Sequence, residues 1–222
     1  MKSRLPAVLL PLACLPSVEF FLWLLHAPSA FLEIQETYPK QTCRNRYLIA
    51  TANGPLLLSI PVVKPFGNHT PTSAIRLDPT GNQERIHWRA IESAYNKSPF
   101  FLYYRDDFEK IFNSPPTLLI DFNLSLLNLC CRFTGITRDY KLTETFVQNP
   151  VDMLDLRHAI MHKHPAAQTF TVPPFEPYIQ VFADRHAFIP NLSILDLLFN
   201  LGPEAGDYLK RHVPVNITGV IV

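Results

Sequence analysis

The apolar positions of this chain change period several times, and each change predicts an element. Leu5 to Leu12 form a run interrupted by Pro6 and Pro11. After Ser17, a suitable N-cap, Val18, Phe21, Leu22 and Leu25 repeat at helical spacing until Pro28 stops them. Phe31 to Gln35 reads as a short strand. Tyr47–Thr51 and Leu56–Val63 flank Asn53-Gly54, the pattern of a hairpin with positive φ at both central residues. The stretch 64–83 is rich in proline and glycine and reads as loop, with one edge strand at Ile75–Leu77. From Glu84 the period is helical again. Ile86–Tyr95 carries Trp88, Ile91 and Tyr95 on one stripe. Ser98-Pro99 reads as a cap and first turn for a helix running to Phe112, and a third helix spans about Leu118 to Phe133 before Gly135.

Beyond Gly135 the pattern weakens. Tyr140–Leu142 and Tyr178–Phe182 read as strands, Ser193–Asn200 as a capped amphipathic helix, and Pro203–Arg211 as a final helix. The expected fold is therefore α/β in the mixed α+β sense. A small β-sheet with an Asn-Gly hairpin packs against a helical subdomain over about 84–135, all within one domain spanning 1–222.

Composition narrows the function. The chain of 222 residues is 47% hydrophobic and 18% charged, which is enough for a sizeable core. A net charge of +1 gives no field toward nucleic acid or anionic lipid, so no nucleic-acid partner is expected. With 21 prolines against 7 glycines, turns must rest on proline's fixed φ. There is no G-x-G-x-x-G and no G-x-x-x-x-G-K-[ST], so no dinucleotide or P-loop cofactor is expected. Cys14, Cys43, Cys130 and Cys131 show no C-x-x-C spacing and read as free buried thiols in a reducing compartment. No apolar run is long enough to span a bilayer. Lys2, Arg4 and the apolar run after them match either a cleavable leader or a buried first strand. Nothing in the pattern reports an oligomeric state.

The candidate chemistry lies in three segments. Lys40, Arg44, Asn45 and Arg46 sit just before a strand. Alternation puts the Arg44 and Arg46 guanidiniums on one face, where an anionic substrate, solvent or an acid such as Glu36 could separate them. His87 lies near a helix N-terminus, where the dipole favours the neutral form. That suits either a general base or a histidine at the core edge, with Arg89 and Tyr95 on the following turns. Gln180 stands among aromatic residues and needs a partner if buried, and Asn191 is either a polar reader or a cap. His158, His162 and His164 lack the carboxylate or thiolate that would complete a metal site, so none is expected.

The order of segments carries more than any one of them. Leu15-Pro16-Ser17-Val18-Glu19-Phe20-Phe21 comes first, then Tyr38-Pro39-Lys40, Arg44-Asn45-Arg46 and Ala52-Asn53-Gly54-Pro55-Leu56. His87-Trp88-Arg89, Ser98-Pro99-Phe100-Phe101, Asp121-Phe122-Asn123 and Pro190-Asn191-Leu192-Ser193-Ile194-Leu195-Asp196 follow. Over roughly residues 5–210 this series resembles the WbqC-like family. The resemblance implies a bacterial, cytoplasmic protein whose apolar N-terminus belongs to the fold. It further implies a link to surface-polysaccharide synthesis, as an acyl or aminoacyl transferase, some members being labelled glycyl transferases, acting on a nucleotide-linked amino sugar. In such an enzyme Lys40, Arg44 and Arg46 would hold substrate charge and His87 would be the base. Arg89 and Tyr95 would orient substrate, and Asn45, Gln180 and Asn191 would read its polar groups. The alternative is a non-catalytic protein that uses the same basic strip to hold an anionic metabolite or a protein partner. The region 140–175 is shorter and richer in proline than in longer members, so their residues there do not transfer.

Overall fold

Val8, Leu9 and Leu10 are completely buried, because the apolar N-terminal run is the inner strand of a sheet. The computed structural model describes residues 5–80, 82–160 and 170–216. In chain order the first elements are β1 (Ala7–Pro11), α1 (Val18–His26), β2 (Ala30–Glu33), β3 (Arg46–Thr51), β4 (Gly54–Ser59), β5 (Val62–Val63) and β6 (Arg76–Leu77). Three helices follow, α2 (Gln83–Tyr95), α3 (Phe101–Asn113) and α4 (Leu119–Thr134). The chain continues through β7 (Tyr140–Leu142), β8 (Met153–Asp155), β9 (Phe170–Thr171), α5 (Ile194–Leu201), α6 (Ala205–Arg211) and β10 (Val215–Asn216).

The main sheet has the order β7-β2-β1-β8 and is parallel throughout, giving an α/β fold. Counted along the chain, this is third-second-first-fourth strand. Helix α1 joins β1 to β2 and is apolar on nearly every side, since it lies between the sheet and α5 and α6. The long segment between β2 and β7 holds the hairpin and the α2–α4 layer. Phe199 of α5 enters that layer, with its ring 5.2 Å from both Tyr95 and Phe101 and 5.7 Å from Phe108. At Gly202, φ is +56° and any Cβ would run into the Phe100 ring, so glycine is required where α5 ends.

Three sequence expectations change. The hairpin turn centres on Ala52-Asn53, and Gly54 alone has positive φ, at 98°. The glycine thus begins the second strand instead of sitting inside the turn. Ser98 does not cap α3: its hydroxyl donates to the Tyr95 carbonyl at 2.6 Å, and the helix starts three residues later. Residues 178–182 form no strand, because Gln180 clamps them to Ile189 through both amide ends and the chain then turns. Strand β8 had no clear periodic signal, being only three residues long. All four cysteines are buried and free. Among the described residues no helix is long and apolar enough to cross a membrane.

Candidate functional site at the carboxyl edge of the sheet

Because the four strands are parallel, their carboxyl ends share one edge. The strand order reverses between β1 and β8: the chain leaves β1 toward β2 and β7, then returns to the far side of β1. In open parallel sheets a crevice forms at such a point, outside the strand ends. Here it is a narrow cleft of about 10 Å³, lined by Cys14, Ser17, Arg46, Tyr47, Ile160 and Ser193 among others. Ala13 to Ser17 leave β1 and Ile160 follows β8, so the two sides of the reversal both contribute. The space admits about one water or one oxygen of an oxyanion.

The turn that feeds the cleft carries no glycine. Leu15 takes φ +39°, a strained conformation for a bulky residue. The first amides of α1 are already occupied: Val18 N–H donates to Leu192 O, Glu19 N–H to Asn191 Oδ1 and Phe20 N–H to Ser17 O. A phosphate cradle of the dinucleotide kind is therefore closed. What remains open is the Ser17 hydroxyl, 7% exposed and without a hydrogen-bond partner, and the Arg46 guanidinium. Arg46 spends only Nε, on Ser59 Oγ at 3.3 Å, among the described residues.

At the same edge of the sheet, charges are paired. Glu33, at the end of β2, has no exposure. It accepts from Gln35 N and Thr143 Oγ1, both at 2.8 Å, and from Val147 N at 3.1 Å. Arg157 lies 3.5 Å from it and forks onto Asp155 at 2.9 and 2.7 Å. Burial pushes the Asp155 carboxyl up, but the Arg157 hydrogen bonds and charge outweigh burial and hold it below its ordinary range. The second pair is Arg44 with Glu36, a buried ion pair completed by Thr42 Oγ1 at 2.6 Å. Burial raises the Glu36 pKa against the opposing pull of Arg44.

These contacts redistribute the residues nominated from sequence. Arg44 and Arg46 do not share an anion: Arg44 precedes the strand, turns inward and is neutralised by Glu36. Asn45 bridges to the Ile60 carbonyl at 2.7 Å and so ties the hairpin base together. Lys40 and Arg89 are exposed and outside the cleft lining. Asn191 caps α1 and donates to Glu19 Oε2 at 3.1 Å. Tyr95 and Gln180 do come together, but on a carboxylate that sequence reasoning left without a role. Asp196 accepts at Oδ2 from Tyr178 Oη at 2.6 Å and Gln180 Nε2 at 2.8 Å, and the nearby Tyr95 hydroxyl also favours its charged form. Burial raises its pKa against those hydrogen bonds. The signal was present as an acid inside the otherwise apolar helix ILDLLFNL.

His87 is 5% exposed, and its Nδ1 shares a hydrogen bond with the Tyr47 hydroxyl 2.9 Å away. Burial lowers its pKa below the ordinary value, so the folded ring resists protonation. As pH falls below about 6.5, the unfolded chain gains a proton there before the folded chain does. Stability should fall with pH across that interval. The slope should be shallower in His87→Gln, measured by urea unfolding at pH steps.

Among the described residues no group of three or more His, Cys, Asp or Glu could hold a metal ion. His162 and His164 lie outside the described residues.

The sequence profile of the WbqC-like protein family matches residues 13–174, from the turn after β1 to just past β9. A Mycobacterium tuberculosis protein, described as uncharacterized protein Rv1507c, is 28% identical over 197 residues, covering 78% of this chain and 84% of the relative. No solved structure matches the chain.

Proposed function

Since the chain belongs to the WbqC-like protein family, we propose that it is an acyl or aminoacyl transferase that anchors an anionic substrate in the carboxyl-edge cleft. The observation that carries this reading is the pairing of an unspent guanidinium, Arg46, with the partnerless Ser17 hydroxyl at the strand-order reversal. Only the charged tip of a substrate, a carboxylate or phosphate, fits such a space. A nucleotide-linked amino sugar of surface-polysaccharide synthesis has that charge and supplies an acceptor amine.

Tyr47 lines the cleft and connects it to His87. In the transfer, the amine nitrogen attacks the carbonyl of an activated ester. The C–N bond forms, the carrier leaves with the electrons of the C–O bond, and the amine proton passes to Tyr47 Oη as the phenol proton passes to His87 Nδ1. The neutral state of His87 favours this direction of transfer. That Glu33 and Glu36 are already engaged by buried arginines favours a second reading, a binding protein without turnover.

Thermal unfolding with nucleotide sugars, acyl-CoAs and aminoacyl-adenylate analogues separates the outcomes. A ligand at about 100 times its dissociation constant should add roughly 2.7 kcal/mol, a midpoint shift of about 5–10 °C. Arg46→Ala should reduce the shift and leave the free protein within about 0.5 kcal/mol of wild type. Tyr47→Phe should keep the shift and lose turnover. If no ligand class shifts the midpoint, the substrate reading is wrong. If one does and no product forms with any donor, the binding reading replaces the transferase.

A further inference from the structure

A second free space lies away from the cleft, between the hairpin tip, the end of α2 and the segment after Gln180. It measures about 440 Å³, within the range of small-molecule sites. It exists because one stripe of α2 is small: Ala90, Ser93 and Ala94 follow one another at helical spacing and line the space with the hairpin tip, and Lys97 stands just past the helix end. Larger residues there would have packed the gap.

Its walls are tied by dedicated hydrogen bonds. Ala50 N–H donates to Tyr95 Oη at 3.2 Å, fixing α2 to β3. His186 Nε2 bonds the Ala52 carbonyl at 2.9 Å, fixing the 183–190 segment to the hairpin tip. Gln180 holds the third wall on Ile189 and Asp196. Tyr95 and Gln180 are thus positioning residues for this groove, touching nothing that would enter it. Inside, Leu56, Val181 and Phe182 offer apolar faces. Asn53, Ser93, Asn96 and Lys97 stand at the rim with no side-chain hydrogen bond among the described residues.

We propose that this groove binds a nucleotide. Its flat base lies against Phe182 and Leu56, the amides of Asn53 and Asn96 read the base edge, and Lys97 meets the phosphate. A ring with apolar faces and a polar edge matches a groove with apolar walls and few polar groups. A bare sugar would leave hydroxyls against Leu56, Val181 and Ala94 without partners. The inference deepens the reading above, because a nucleotide-linked sugar would seat its nucleotide here, and it can fail while that reading stands.

The test is calorimetric titration of the full chain with UMP, CMP, AMP and GMP and with the matching nucleosides. Wild type should bind at least one nucleotide saturably. Ala90→Phe, which fills the groove, should weaken that binding at least ten-fold. Asn96→Ala, on the exposed rim where folding is not at risk, should weaken nucleotide and nucleoside alike by several-fold. Lys97→Ala should weaken the nucleotide only. Full-strength binding in both Ala90→Phe and Asn96→Ala overturns the proposal, as does the absence of saturable binding at millimolar nucleotide. Binding lost in Arg46→Ala but kept in Ala90→Phe also overturns it. That result would move the nucleotide to the sheet edge and leave the transferase reading intact.

Discussion

Arg44→Ala should lower stability by about 3–5 kcal/mol, because it leaves the Glu36 carboxylate buried without its counter-ion. For a chain of this size that is a fall in unfolding midpoint of roughly 6–20 °C. The cause can be isolated. Replacing both partners, as Arg44→Met with Glu36→Leu, should recover most of the loss, since an apolar pair of similar volume carries no charge to desolvate. The pH dependence gives a second check. Burial already raises the Glu36 pKa, and without Arg44 it rises further, so acid should shrink the deficit by neutralising the stranded carboxyl. Were Arg44 held ready for substrate, its removal would be nearly neutral in the free protein. Calorimetric scans of the single and double variants at two pH values decide between these.

Asp196→Ala should have a similar effect, about 3–5 kcal/mol, by a different route. It strands the buried Tyr178 hydroxyl and takes from the Gln180 amide one of its two acceptors, besides opening a cavity where the carboxyl stood. The segment around Gln180 should loosen, which limited proteolysis between 178 and 190 would report. Asp196→Asn keeps an acceptor and should cost less. The sign of the pH effect follows from the raised pKa. Between the unfolded carboxyl value of about 3.9 and the folded value above it, the folded state holds a proton the unfolded state has released. This contribution is therefore full below about pH 3.9 and is lost as pH rises through the folded value. The corresponding slope should vanish in Asp196→Asn. An unchanged slope would assign it to Glu19 or Glu36, whose pKa values burial also raises.

Much of the fold was legible because local patterns coincide with burial. Helix α1 between Ser17 and Pro28, the three helices before Gly135 and the hairpin are all marked by period and by stop residues. The parallel sheet was harder. Its strands are three to five residues long and two of them pair with strands far back in the chain, so neither length nor spacing announces their pairing. The site was legible as composition but not as geometry. Alternation placed Arg44 beside Arg46, yet the strand begins only at Arg46, and the preceding residue pair turns about Thr42 instead. Gln180 was marked as needing a partner if buried, but the carboxylate that meets it, Asp196, lies on α5 and carried no role in the sequence pattern. Glu33, Asp155 and Arg157 carry no local motif. Their meaning comes from the parallel register that brings the ends of β2 and β8 to one edge.

That register has a consequence for the order in which the molecule assembles. Val8 meets Ala30 across a short loop, but Ala30 meets Tyr140 across one five times longer. Each doubling of loop length adds about 0.6 kcal/mol of closure entropy, so the second pairing costs about 1.4 kcal/mol more than the first unless the intervening chain has already condensed. The hairpin and α2–α4 have local contacts and can form early, shortening the effective loop; β7 and β8 then dock last, one on each side of the β2-β1 pair. Refolding followed by pulsed hydrogen exchange should protect amides of α2–α4 before those of β7 and β8. The cleft, which needs both β1 and β8, is then among the final features to appear, and a chain still emerging from the ribosome cannot possess it.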